Sequence, residues 1–371
     1  MERYNFYKNR LEDKQFKDYP FELSEEMQLQ HIEPGEEYEP SEALIRAVNV
    51  ALMLQKPLLL TGDPGTGKSD LAYHIALHFG WEKPELFATR TDSVATDLLY
   101  RYNSLAHFQN VNIHKADKMA KALTADEIEG KFIKYVALGG AICDSKEKKR
   151  RVVLIDEIDK APRDLPNDIL TTIETMTFEV PELNTWNDDK PPIHIKKGNE
   201  KLKPVVILTS NSEKTLPEAF LRRCVFFHIA MPEQKDLINI LMKKKSVLPH
   251  ITAEQSIRFV LLFFQIRAKV TGKKPATHEL ILWVWWMQKH EFTPDDVYNF
   301  RKSEAENSEN GKRNETILSG ISILAKETND LKAVREAITS NKMKHEEISE
   351  EESKLLAWSK EATSFKEIKD K

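Results

Sequence analysis

Residues 62–69 read Gly-Asp-Pro-Gly-Thr-Gly-Lys-Ser, and the residues just before them, Pro57-Leu58-Leu59-Leu60-Thr61, form an apolar run. The pattern G-x-x-x-x-G-K-[ST] directly after a buried strand is a loop shaped to wrap an anion. Its glycines let backbone N–H groups close around phosphate oxygens, Lys68 brings a cation to the β- and γ-phosphates, and the Ser69 hydroxyl can ligate Mg²⁺. Asp63, Pro64, Gly65, Thr66, Gly67, Lys68 and Ser69 are therefore the candidate nucleotide-binding residues. A helix from about Lys68 to Phe79 adds its positive N-terminal end.

The chain has 371 residues, 40% hydrophobic and 31% charged, which predicts a soluble globular protein of two or three domains. A net charge of −4 argues against general coating of nucleic acid. Cys143 and Cys224 lie far apart without metal or redox spacing, and read as inert residues in a reducing compartment. The opening stretch MERYNFYKNRLEDKQF carries no apolar signal region, and the longest apolar runs, 259–264 and 281–287, are too short to span a bilayer. A cytoplasmic protein with no membrane partner is expected.

Residues 1–40 read as an N-terminal arm that is acidic over 20–39, with seven Glu and no Lys or Arg. Ser41 caps a helix through Leu44, Ala47, Val48, Ala51 and Leu54. A short second strand is predicted over 84–90, and the polar, helical stretch 91–130 reads as an insertion. Val152-Val153-Leu154-Ile155 and Val205-Val206-Ile207-Leu208 are buried strands, Val225 to Ile229 is a fifth, and 165–176 is a helix. The stretch 178–203, with Pro181, Pro191, Pro192 and Gly198, predicts a hairpin or long loop. Strands alternating with helices after such a loop predict an α/β fold over 41–231, a parallel sheet flanked by helices. A smaller all-α domain is expected over 232–292 and a charged helical C-terminal extension over 293–371. The stripe Trp283, Trp285 and Trp286 fits the core of that all-α domain, and the run 346–352 reads as a solvated helix face.

Asp156 and Glu157 follow the Val152 strand. An Asp there can order a Mg²⁺-bound water opposite Ser69, and a Glu one residue on can polarise an attacking water, so hydrolysis is the expected reaction. The Val205 strand ends in Thr209-Ser210-Asn211, which brings a neutral amide within reach of the γ-phosphate or the water. Farther on, Arg222 and Arg223 offer guanidinium groups; in a ring, such an arginine stabilises a neighbour's γ-phosphate, with Arg223 the stronger candidate. The candidate catalytic residues are Glu157, Asn211, Arg222 and Arg223, and the candidate metal ligands are Ser69 and Asp156.

In this order the residues resemble the AAA+ ATPases. GDPGTGKS is similar to Walker A, VVLIDEID at 152–159 to Walker B, LTSN at 208–211 to sensor 1, and LPEAFLRRC at 216–224 to the arginine-finger segment of the MoxR branch. Lys160-Ala161-Pro162 before the next helix, the insertion over 91–130 and the proline-rich stretch over 178–203 also fit that branch. The resemblance covers about 41–290. It implies a P-loop AAA+ domain followed by an α-helical lid, with ATP and Mg²⁺ as cofactors. It further implies a homo-oligomeric ring, most commonly a hexamer, that remodels a protein client or a partner with a von Willebrand factor A domain. Two departures stand out. Where a lid arginine is expected, the sequence offers only Lys274 or His278, and the Walker B segment continues Asp159-Lys160 in place of Asn-Arg. The lid departure motivates a second expectation, a nucleotide-gated regulatory scaffold with slow hydrolysis in a defence or stress complex. A nucleic-acid motor is disfavoured by net charge, and selection between ATP and GTP is left open.

Overall fold

The computed structural model describes residues 35–116, 123–183, 194–300, 309–340 and 349–369. The acidic arm lies outside the described residues up to position 34. The chain divides into an α/β unit, 34–230, and a helical unit that takes in 231–371.

Helix α1 (Glu42–Leu54) begins where Ser41 Oγ accepts the Leu44 N–H at 3.2 Å, and ends at Gln55 with φ 53°. It leads into β1 (Leu58–Gly62), whose five residues are all buried. Helix α2 (Asp70–His78) and strand β2 (Glu85–Ala88) follow. The insertion holds β3 (Tyr100–Tyr102), α3 (Ser104–Ala116), α4 (Ala125–Phe132) and β4 (Ile133–Tyr135). Next come α5 (Ala137–Lys146), β5 (Val152–Asp156), α6 (Leu165–Thr175), β6 (Thr177–Glu179), β7 (Ile195–Lys197), β8 (Val205–Ser210), α7 (Glu218–Leu221) and β9 (Val225–Ile229).

The sheet runs β2-β5-β8-β1-β9, with every pair parallel. Its central strands are buried on both faces, which is why they read as unbroken apolar runs. Alternation still sorts the side chains. Leu58, Leu60, Val152, Leu154 and Ile207 pack with residues of α1 and α2, while Leu59, Val153, Ile155, Val206 and Leu208 pack with residues of α5 and α6. Because β5, β8 and β1 are neighbours and parallel, their C-terminal ends bring residues 62–69, 156–157 and 209–211 to one edge of the sheet.

The insertion is helical as its pattern predicts, but a two-stranded antiparallel ribbon, β3–β4, closes it. The period-two signal for it was present in Tyr100-Arg101-Tyr102 and Ile133-Lys134-Tyr135. Gly139 on α5 is required here, since a Cβ would come within 1.9 Å of Leu99 O. The stretch after α6 forms an antiparallel β6–β7 pair, a hairpin whose tip, with Pro191 and Pro192, lies outside the described residues.

The helical unit contains α8 (Gln234–Lys243), α9 (Ala253–Lys269), α10 (Thr277–Lys289), α11 (Pro294–Tyr298), α12 (Glu309–Gly320), α13 (Thr328–Thr339) and α14 (Ser349–Lys369). One hydrophobic cluster extends from Leu237 to Leu355, so packing is continuous across the boundary expected at residue 292. Trp283 is fully buried edge-on to Phe259, whereas Trp285 and Trp286 are only partly buried. Glu352 departs from the solvated face expected over 346–352. It is 5% exposed because Arg258 Nε donates to its carboxylate at 2.7 Å, which ties α14 to α9. Among the described residues, no helix is long and apolar enough to cross a membrane.

Candidate functional site

The loop after β1 turns on Gly65 (φ 80°) and Gly67 (φ 82°), the left-handed conformations that glycine adopts without strain. Thr66 Oγ1 donates to Asp63 O at 2.8 Å and stiffens the turn. Lys68 folds back along the loop, its Nζ donating to Gly62 O at 2.8 Å and to Asp63 O at 3.0 Å. Burial lowers its proton affinity below the usual lysine range, opposed by the nearby Asp156 and Asp63 carboxylates. A cation held this close to the backbone amides is placed to meet an anion.

Strands β5 and β8 supply the carboxylate side. Ser69 Oγ donates to Asp156 Oδ1 at 2.9 Å, and Thr209 Oγ1 donates to the same oxygen at 2.5 Å. Thr209 also accepts the Glu157 N–H at 2.9 Å. That bond secures Glu157 in a left-handed backbone, φ 56° and ψ 48°, which costs a non-glycine residue about 1–2 kcal/mol. The turn re-aims the chain, so consecutive carboxylates face different partners. Asn211 Nδ2 donates to Glu157 Oε1 at 3.1 Å, and Lys160 Nζ donates to Oε2 at 2.5 Å. Both oxygens of Glu157 are therefore engaged. The ammonium of Lys160 is held above its usual proton affinity chiefly by its hydrogen bond to Glu157.

Asp159 is 3% exposed and accepts the Glu213 N–H at 2.9 Å, which fastens the segment after β8 to the turn after β5. The ring of Tyr38 lies against Gly67, where a Cβ would meet it at 2.7 Å. Thr209, Lys160 and Tyr38 are the site residues that sequence reasoning passed over. Thr209 was named only as the end of its strand, with no role, and Lys160 was noted only as a departure from a pattern.

The arginines are built differently. Arg222 pairs with Glu218 one helical turn away, both side chains more than 70% exposed. Arg223 Nε lies 3.6 Å from Glu174 Oε1 on α6, again with both partners about half exposed. Neither guanidinium bonds to the loop or to the carboxylate pair. Lys274 and His278 are exposed residues of the helical unit, just before and within the first turn of α10.

Ser69 and Asp156 offer oxygen donors only, a hydroxyl and one carboxylate, on adjacent elements. Such a set fits a hard cation that keeps waters and takes further oxygens from a phosphate, as Mg²⁺ does. Consistent with that sparse donor set, no cluster of three or more His, Cys, Asp or Glu side chains suited to a metal occurs among the described residues.

A comparison with protein families agrees with this geometry. Residues 57–224 match the family model described as AAA domain (dynein-related subfamily). The match runs from the residue before β1 to the residue before β9 and includes the loop, both carboxylates, Asn211 and the two arginines. It does not name the MoxR branch. Among solved structures, the chain is similar to a single-substitution variant of Thermotoga maritima RuvB at 15% identity and a TM-score of 0.31, over 76% of this chain and 74% of that one. No curated protein matches the chain.

Proposed function

With an AAA domain at residues 57–224 as the premise, we propose that the chain is a Mg²⁺-dependent ATPase that assembles into a ring, most simply a hexamer, and uses hydrolysis to remodel a partner protein. Lys68 and the loop amides bind the β- and γ-phosphates. Ser69 and Asp156 would hold Mg²⁺, which when bound would supply charge neutralisation at the phosphoryl oxygens. Glu157 accepts the proton of the attacking water, Asn211 orients it, and Arg223, with Arg222 beside it, reaches a neighbour's γ-phosphate. A client in the manner of the MoxR branch, such as a protein with a von Willebrand factor A domain, is part of this reading.

The observation that carries it is the Thr209 hydroxyl, which bonds both Asp156 and the backbone of Glu157 and so aligns a metal ligand and a base beside the phosphate loop. The test is the solution mass of Glu157→Gln protein with and without ATP and Mg²⁺. A nucleotide-dependent rise from monomer to hexamer is expected; a monomer that binds ATP without assembling would overturn the ring.

A second reading is a nucleotide-gated scaffold, in which ATP holds an assembly together and slow hydrolysis times its release. The double engagement of Glu157 by Lys160 and Asn211 favours it, because a base with both oxygens occupied turns over slowly. Turnover that stays slow with the partner present, alongside ATP-dependent assembly, would select this reading over the remodeller.

A further inference from the structure

The β3–β4 ribbon has two unlike faces. Tyr100 is buried, and Tyr102, Ile133 and Tyr135 are partly buried against the same core cluster. On the opposite face Arg101 and Lys134 stand directly across from each other in the ladder, both exposed. Like charges paired across strands are destabilising. Lys131, also exposed, joins them along a cleft of about 620 Å³ that Asn103 and Gly130 also line.

No ion pair neutralises Arg101, Lys131 or Lys134 among the described residues. The nearby acids are committed elsewhere: Glu129 accepts from Lys196 at 2.5 Å and Tyr135 at 2.8 Å, and Glu182 accepts from Tyr100 at 2.7 Å. Immediately after β3, helix α3 leaves Leu105 66% exposed and Phe108 64% exposed. The ribbon has only two strands, so no third strand covers either of its outer edges among the described residues. Repelling cations and open strand edges thus occur on the ribbon, and the helix that follows its first strand carries the exposed apolar side chains.

We propose that this cationic face, with Leu105 and Phe108, docks an extended acidic segment of the client protein that carries large apolar side chains. Carboxylates satisfy Arg101, Lys131 and Lys134, the apolar side chains cover Leu105 and Phe108, and the peptide backbone is free to pair along a ribbon edge. A nucleic acid would satisfy the charge but leave the strand edge and Leu105 unused. The proposal rests on the remodelling reading, for which it names the chemistry of the client.

The test is fluorescence anisotropy of a labelled peptide of alternating Glu and Leu, titrated with the full chain at low salt, with oligothymidylate of equal length as the second probe. Wild-type protein is expected to bind the peptide more tightly than the oligonucleotide. Arg101→Glu/Lys134→Glu should weaken peptide binding by on the order of tenfold, since each exposed charge pair is worth a few-fold. Arg101→Gln/Lys134→Gln should melt no lower than wild type, because it relieves the repulsion, and still bind less tightly. Leu105→Ser/Phe108→Ser should also bind less tightly, and Lys148→Glu/Lys149→Glu, off the ribbon, should bind as wild type does.

Absence of binding by wild type, undiminished binding by the glutamine variant, equal loss in the Lys148/Lys149 variant or preference for the oligonucleotide would each overturn the docking face. ATP turnover is measured on the same samples. Ribbon-dependent peptide binding without turnover would sink the remodelling reading alone, and normal turnover with ribbon-independent binding would sink the docking face alone.

Discussion

The phosphate-loop side of the candidate site and its arginine side are built on opposite plans within one α/β unit. On the loop side, Lys68 is 7% exposed, Asp156 Oδ1 takes two hydroxyl hydrogen bonds, and the turn at Glu157 is locked by a threonine from the next strand. On the arginine side, the guanidinium groups are held, among the described residues, by exposed ion pairs, which contribute little and release easily. Pre-organised groups act where they already stand, and loosely held cations act where something else arrives. The contrast favours a site whose first half is complete in one chain and whose second half is meant for a neighbour.

The strongest attack on that contrast is Arg223→Ala. As a finger supplied in trans it is expected to lower ATP turnover by roughly 10³–10⁵-fold with nucleotide affinity kept. Its loss costs only the exposed pair with Glu174, so thermal stability should stay within about 0.5 kcal/mol of wild type. Full activity in Arg223→Ala protein, measured as phosphate release, would end the trans assignment.

Glu157→Gln is expected to lower turnover by about 10²–10⁴-fold while ATP stays bound. The two inactive variants together sharpen the comparison. If the proposed ring forms, mixing the two would create interfaces where an intact Glu157 of one subunit meets an intact Arg223 of the next, and part of the activity should return. Arginines that serve their own chain would give no recovery.

The loop side was legible in the sequence because its chemistry is local. The glycine spacing, the lysine and the Asp-Glu pair after an apolar run are each contiguous, and the strands of the sheet are those same runs. Thr209 was not legible, because its role depends on β8 lying between β5 and β1, a relation among residues more than fifty positions apart. The β3–β4 ribbon was missed for another reason. Its strands are three residues each, too short for alternation to stand out from the helical segments between them. Glu352 shows the same limit in the helical unit, since only the fold brings Arg258 to a glutamate within an acidic run.

Thr209→Val tests the lock itself. Removing the hydroxyl leaves the Asp156 oxygen one donor short and the Glu157 N–H without its acceptor, both in a part-buried setting. A loss of about 1–3 kcal/mol in unfolding free energy is expected by chemical denaturation. Turnover should fall as well, because the left-handed turn at Glu157 loses its tie. A stability loss with unchanged turnover would mean that Thr209 supports the sheet and not the base.

Lys160→Met should have the smallest effect and the opposite sign. The ammonium occupies Glu157 Oε2, while Asn211 holds Oε1, so both oxygens are engaged before a water can approach either. Both partners are more than a third exposed, and solvent screens a pair of that kind so that it is worth little. Removing the charge should therefore raise basal turnover by only about 2–5-fold, the range a weak exposed pair allows. Lys160→Arg, which keeps the charge, should stay near wild type. A fall in turnover on removing the charge would mean that Lys160 orients the base. In that case the loop side would already be in its working geometry, and the arginines alone would govern when hydrolysis begins.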